Sequence, residues 1–355
     1  MTTVMMQSIL EQPDAIRRVL AGSTGVADFA AAFRRRALRK VWLAGSGTSL
    51  YAAMIAARAW EGELGVDCEA VSSLEFLDET EAGGLGPDAA LVAISQSGAS
   101  LILLEGVRRA NGRGALTAVV TAEPSAPISL EASFVIETHT GPEVNLGKTK
   151  GFTTTAVAAV LLGRGVAREG ASLGDRYADL PDAFARTIEA SRAATGAWAK
   201  RLHGADALYV VGGGALAPTA LEGALKVLEV AKMPVIPKEL EEMMHGPFNG
   251  VGPDSGILLV ADETARQDRL AAFLRGPALI GVPMIGIAAG PAIAGSQGPF
   301  ELVLPGYEDP AMRAVLAVVP FQLLAHDLAA ARGAAVDTAR YPQLYPVFAS
   351  KSIHK

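Results

Sequence analysis

The sequence predicts a doubly wound α/β fold laid down twice along one chain. Three observations predict it. First, four short segments recur in order: "VWLAGSGTSLYAA" from Val41 and "LYVVGGGALAPTA" from Leu208; "ALVAISQSG" from Ala90 and "GILLVADET" from Gly256; "LTAVVTAEPS" from Leu116 and "PMIGIAAGPA" from Pro283; "SFVIETHTGPE" from Ser133 and "FELVLPGYEDP" from Phe300. Their offsets are 167, 166, 167 and 167 residues, and a fixed internal offset marks a repeated structural unit. Second, each segment opens as a short apolar run without alternation, the pattern of a strand buried on both faces of a parallel sheet. Third, helical stretches separate the runs, and glycine-rich turns follow the first strand of each half.

Taken in order, residues 1–29 read as a helical segment and residues 30–170 as the first domain. The basic run "RRRALRK" (34–40) reads as a solvated helix end just before the first strand. Residues 171–199 link the halves and become helical, residues 200–335 form the second domain, and residues 336–355 are a tail. The length of 355 residues agrees with two domains. Half the residues are hydrophobic and 19% are charged, as expected of a packed protein. A net charge of −6 without a basic block argues against nucleic acid as a partner. The single cysteine, Cys68, leaves no disulfide framework and no cysteine metal cage, which fits a reducing cytoplasmic setting. The N-terminus lacks the apolar core of a signal peptide. No apolar run reaches the roughly 18 uncharged residues that span a bilayer, so no membrane partner is expected.

In open α/β sheets, ligands bind beyond the carboxyl ends of the strands. Two turns there in the first half are rich in hydroxyls: "GSGTS" (45–49) and "SQSGAS" (95–100). Helix N-termini supply free N–H groups and partial positive charge, and Ser and Thr add neutral donors, so the pair suits a phosphate monoester. Each turn alone also reads as an ordinary helix cap. A dinucleotide GxGxxG fails at Leu50, and no GK[ST] follows for a P-loop. The second-half counterparts, "GGGALA" and "ADETAR", lack this run of hydroxyls.

The second half offers different chemistry. Glu222, Lys226 and Glu229 are spaced i, i+4, i+7 and share one helix face. Such a face is either a solvated ion-pair stripe or a charged site. Sixteen residues after Glu229 stands His245, in "ELEEMMHGP". A carboxylate and an imidazole together suit proton transfer on a sugar. A metal site fits less well, because His245 beside Glu241 and Glu242 has no second nitrogen ligand at helical spacing.

At this point the chain resembles the sugar isomerase (SIS) family, and within it the isomerase half of glutamine–fructose-6-phosphate amidotransferases. "ILEQPDAI" (9–16) is similar to that half's opening motif, with Ser8 where an acid is usual. "GSGTS" and "SQSGAS" resemble its phosphate loops, and "GPEVNLGKTKGFTTT" (141–155) its third active-site loop. "ALEGALKVLE" with "ELEEMMHGP" resembles its catalytic segment, and "ASKSIHK" (349–355) its terminal lysine tail. The resemblance implies two tandem SIS domains, each a flavodoxin-like, doubly wound, five-stranded parallel sheet. It implies that Thr48, Ser49, Ser95, Gln96, Ser97 and Ser100 hold the substrate phosphate. Leu146, Lys148 and Ser350 would face the sugar. Glu229 would move a proton between C1 and C2, and His245, given to the neighbouring subunit of a homodimer, would open the ring. Lys351 would form an imine with the C2 carbonyl. Glu222 and Lys226 would complete the pocket wall. No metal or nucleotide cofactor is required.

Three departures from the family pattern bear on function. The chain starts at the isomerase half, without a glutaminase segment. Lys148 stands where a small hydroxyl residue is usual, and either alters sugar specificity or points to solvent. Extra residues, "RYPQLYPVF" (340–348), precede Lys351 and disturb its register. The expected activity is isomerising deamination of glucosamine 6-phosphate to fructose 6-phosphate and ammonia. The alternatives are a fructosamine-phosphate deglycase and a sugar-phosphate-sensing protein without turnover.

Overall fold

A computed structural model of the chain describes residues 2–22, 25–81, 83–168, 173–294 and 300–348. Ser350 and Lys351 lie outside the described residues. Two five-stranded parallel sheets form. The first contains β1 (Lys40–Gly45), β2 (Asp67–Ser72), β3 (Ala89–Ile94), β4 (Leu116–Thr121) and β5 (Phe134–Glu137) in the order β2-β1-β3-β4-β5. The second contains β6 (Leu208–Gly212), β7 (Val235–Glu239), β8 (Gly256–Ala261), β9 (Met284–Ala288) and β10 (Phe300–Val303) in the order β10-β9-β8-β6-β7. Read from the other edge, the second order repeats the first. The two tandem doubly wound domains expected from the repeat are therefore present.

The central strands β3, β4, β6 and β8 are buried along their whole length, which is why they are continuously apolar. The edge strands β2 ("DCEAVS") and β7 ("VIPKE") are only partly buried and carry charge.

Contacts among the described residues divide the chain into two compact units. One holds Pro13–Glu143, Lys150–Pro181 and the tail from Tyr341. The other holds the residues up to Gln12, the short loop Val144–Thr149, and Asp182–Arg340. In the first unit the core runs from Trp42 and Leu91 through Phe76 and Val107 to Ile128. Trp60 adds a buried aromatic group with Phe29 and Phe33. In the second unit Leu259, Phe273 and Leu240 anchor one face of the sheet. The stretch Pro310–Ala331 is long and apolar enough to cross a membrane, but 78% of its 18-residue apolar window is buried inside the protein, as a core helix would be.

Candidate active site

In the first sheet β1 and β3 are neighbours from which the chain departs in opposite directions, so their carboxyl ends form the switch point of the fold. Both hydroxyl-rich turns lie there. After β1 the chain turns at Gly47 and enters the helix Thr48–Leu64, so Thr48 and Ser49 are its first two residues. Their hydroxyls stand at the positive end of the helix dipole, and the Ser49 amide donates to the Ser46 carbonyl at 3.2 Å. After β3 the turn is fixed by the backbone: Ser95 donates to the Val120 carbonyl at 3.1 Å, and Gly98 to the Ser95 carbonyl at 3.0 Å. Gly98 has φ +58°, and a Cβ there would lie 2.4 Å from the Ala126 Cβ, so the turn requires glycine. Ser100 caps the helix Leu101–Gly112 and accepts from the Leu103 amide. Its hydroxyl therefore already has a structural duty.

The Gln96 carbonyl accepts from the Ala122 amide at 3.0 Å and from the Thr121 hydroxyl at 3.3 Å, which clamps its backbone and leaves its side chain half-exposed. Beside it sits a residue that sequence reasoning did not single out. Glu143 is buried and accepts from the Gly151 amide at 2.9 Å, at the N-terminus of the helix Lys150–Ala167. A Cβ on Gly151 would meet both Glu143 Oε2, at 2.5 Å, and the Gln96 amide, at 3.2 Å. Glu143 and Gln96 thus flank one spot.

In the second unit the helix Ala217–Val230 carries the charged face, and the face is not a solvated stripe. Glu222 and Lys226 have side chains 0% and 1% exposed, whereas Glu229 is 27% exposed. Lys226 Nζ lies 3.3 Å from Glu222 Oε1 and donates to Glu229 Oε2 at 2.7 Å. Burial alone would lower the lysine pKa, but the two carboxylates outweigh it and hold Lys226 above its ordinary range. The lysine is therefore an ammonium that leaves one carboxylate, Glu229, within reach of a ligand.

The loop Val144–Thr149 lies against this helix. A Cβ on Gly147 would come within 2.5 Å of Val230 Cγ2 and 3.9 Å of Glu229 Oε2, so only glycine permits the approach. Leu146 and Lys148 flank Gly147 and are half-exposed. The loop is braced by the N-terminal helix Val4–Leu10. Buried Ser8 donates to Asn145 Oδ1 at 3.1 Å, and Asn145 donates to the Gly147 carbonyl. Gln12 donates to Gln322 at 3.0 Å, and Gln322 in turn to the Thr149 carbonyl at 3.4 Å. Sequence alone gave no signal for this brace, whose bonded pairs are up to 310 residues apart.

His245 belongs to the same unit and follows the helix Leu240–Met244. Its side chain is 67% exposed, and its bonded partner is Glu241, 3.0 Å from Nε2. Arg269, from the helix Gln267–Ile280, grips the same carboxylate with Nε at 2.6 Å and Nη2 at 2.8 Å. Arg269 first, and His245 second, hold Glu241 below the usual carboxylate range. The site residues thus fall into three groups: the phosphate turns in the first unit, the Glu229 cluster with its loop in the second, and His245 with Glu241 and Arg269. Among the described residues no three His, Cys, Asp or Glu side chains gather as a metal-binding set.

The second unit's own switch point is built differently. Asp262, Glu263 and Thr264 stand 167 residues after Ser95, Gln96 and Ser97. Fully buried Asp262 accepts from the Thr264 amide at 3.0 Å and from its hydroxyl. Arg313 pairs with Asp262 at 3.1 Å and with Glu263 at 2.5 Å.

Residues 36–163 match the family model of the SIS domain. The glutamine–fructose-6-phosphate aminotransferase (isomerizing) of Pseudomonas aeruginosa is 29% identical over 95% of this chain. The match covers 57% of that protein, so the chain spans less than three fifths of the length of the curated relatives it matches. Among solved structures, the C-terminal domain of glucosamine-fructose-6-phosphate aminotransferase from Francisella tularensis superposes with a TM-score of 0.84 at 22% identity, covering 95% of this chain and 98% of that one. Glucosamine-6-phosphate deaminase from Thermotoga maritima superposes with a TM-score of 0.73 at 18% identity, covering 96% and 98%.

Proposed function

The chain carries a SIS domain, and from that premise we propose that it is a phosphosugar isomerase that deaminates glucosamine 6-phosphate to fructose 6-phosphate and ammonia. One observation carries the reading: Glu229 is the accessible member of a buried Glu222–Lys226–Glu229 cluster, pressed against the loop that holds Leu146 and Lys148. A solvated ion-pair stripe would have no reason to bury a lysine between two carboxylates, because burying charge is costly. A carboxylate at a semi-enclosed surface beside a buried ammonium is what a proton shuttle needs.

In the proposed reaction the turns at Thr48–Ser49 and Ser95–Ser100 hold the phosphate. His245 opens the ring. Glu229 takes the proton from C2 of the open aldose and returns it to C1, while the C2 amine becomes an imine. Water adds to that imine, and ammonia leaves as the C2 carbonyl forms. Lys351 and Ser350 are proposed to close over the sugar, with Lys351 able to hold the ketose as an imine. A sugar-phosphate sensor without turnover would need the phosphate turns but not the Glu229 cluster.

Ammonia release from glucosamine 6-phosphate tests the reading, with solvent deuterium followed into C1 of the product. Glu229→Gln keeps the shape but cannot accept the proton. Its kcat is expected to fall by about 10²–10⁴-fold with little change in KM. Turnover of a fructosamine 6-phosphate with none of glucosamine 6-phosphate would overturn the deaminase assignment, and normal turnover by Glu229→Gln would remove the shuttle.

A further inference from the structure

We propose that Glu241 and Arg269 are positioning residues for His245, and that Nδ1 of His245 is the nitrogen that moves the proton in ring opening. The proposal rests on the ring-opening role given to His245 above. Its basis is the chain of contacts Arg269–Glu241–His245. An ionised carboxylate only accepts hydrogen bonds, so the His245 nitrogen 3.0 Å from Glu241 Oε1 must carry a hydrogen. That nitrogen is Nε2. In a neutral imidazole one nitrogen donates and the other accepts, so Nδ1 is left as the base.

Two elements enforce the assignment. Glu241 stands four residues before His245, on the helix that delivers it. Arg269 comes from a different helix and binds both oxygens of Glu241 at 2.6 and 2.8 Å, so the carboxylate cannot rotate away. Glu239 accepts from the Glu241 and Glu242 amides, and Arg266 is paired with Asp268. An exposed ion pair adds little to stability. A carboxylate gripped at both oxygens and bonded to one imidazole nitrogen instead fixes the tautomer.

The proton path then balances. The sugar O1–H gives its proton to Nδ1, and the released electron pair forms the C1=O1 bond. The C1–O5 bond breaks with its electrons moving to O5, and O5 takes the proton from Nδ1. Between the two transfers His245 is an imidazolium, and the Glu241 carboxylate faces the resulting charge.

The test uses the full chain labelled with ¹⁵N at histidine, with the His245 resonances assigned by their loss in His245→Ala. At a pH where the imidazole is neutral, the parent is expected to show the Nε2–H tautomer. Glu241→Gln should retain it, because the amide oxygen still accepts. Glu241→Ala should show a tautomer mixture, a kcat for glucosamine 6-phosphate about 10- to 100-fold lower, no more than the lower end of what a general base supplies because His245 itself remains, and a nearly unchanged KM. Glu241→Gln should recover part of that loss. An Nδ1–H tautomer in the parent, with His245→Ala inactive, overturns this proposal alone. Parental tautomer and rate in Glu241→Ala overturn it equally. Normal turnover by His245→Ala overturns the ring-opening role itself.

Discussion

Lys226 shows how far one residue's role can be read from spacing and where burial takes over. The i, i+4, i+7 arrangement of Glu222, Lys226 and Glu229 was legible in the sequence, but it fitted an exposed stripe as well as a site. The decisive fact is that Glu222 and Lys226 are sealed from solvent while Glu229 is not, and no helix-face count contains that. Lys226→Met is expected to lower stability by about 3–5 kcal/mol, the cost of leaving buried charge without its partner, read as the shift of a denaturant midpoint. The pH dependence follows from the sign of the shift. The folded pKa lies above the unfolded lysine value of 10.5, so the stabilisation is complete below that value and is lost as pH rises through the folded pKa. The stability difference between parent and Lys226→Met should therefore be full and constant through the neutral range and narrow at alkaline pH, as the parent loses the ammonium. Equal midpoints for parent and variant would show that the cluster holds no net charge coupling. Ser8 and Asn145 are the opposite case. They are 137 residues apart, and nothing local in either segment announces the bond.

At the level of elements, the two turns at the switch point were legible because hydroxyls and glycines cluster where the fold places ligands. The strands β2 ("DCEAVS") and β7 ("VIPKE") were not, because charged residues and a proline interrupt them. Arg269 was hidden for a related reason: it reaches Glu241 from a separate helix, 28 residues on. The turn after β3 carries its own prediction. Ser97 lies in a backbone already fixed by the Ser95, Gln96 and Gly98 hydrogen bonds, so removing its hydroxyl should leave the turn intact. Ser97→Ala is expected to cost about 1.5–3 kcal/mol of phosphate binding, as for a hydrogen bond to a charged group. Steady-state kinetics should show KM rising more than kcat falls, and an unchanged KM would remove Ser97 from the cradle.

Across the whole molecule, the near-constant offset of 167 residues made the doubled fold legible before any contact was known. The membership of the two units was less so. The loop Val144–Thr149 follows the first sheet in sequence but groups with the second, because Gly147 and Asn145 pack on elements far along the chain. At this scale the proposed homodimer can be tested. His245 is largely exposed in the single chain, a position suited to serving a second copy. Glu229→Gln and His245→Ala subunits, each inactive alone, should regain activity when mixed, since hybrid dimers contain one site with both residues intact. No recovery, with subunit exchange demonstrated by differently tagged chains, would place both residues in a site served by one chain.

The Asp262–Arg313–Glu263 network has a consequence for counting. A doubled fold offers two switch points and so two places for an anion. In the second, buried Asp262 is tied to the amide and hydroxyl of Thr264 and to Arg313, so carboxylates of the chain itself stand where the first half has Ser95–Ser97, the residues proposed to hold a phosphate. A dianion would meet like charge there. The chain should accordingly titrate with a stoichiometry of one sugar phosphate per polypeptide by calorimetry, and Ser97→Ala should weaken that single binding event without uncovering a second.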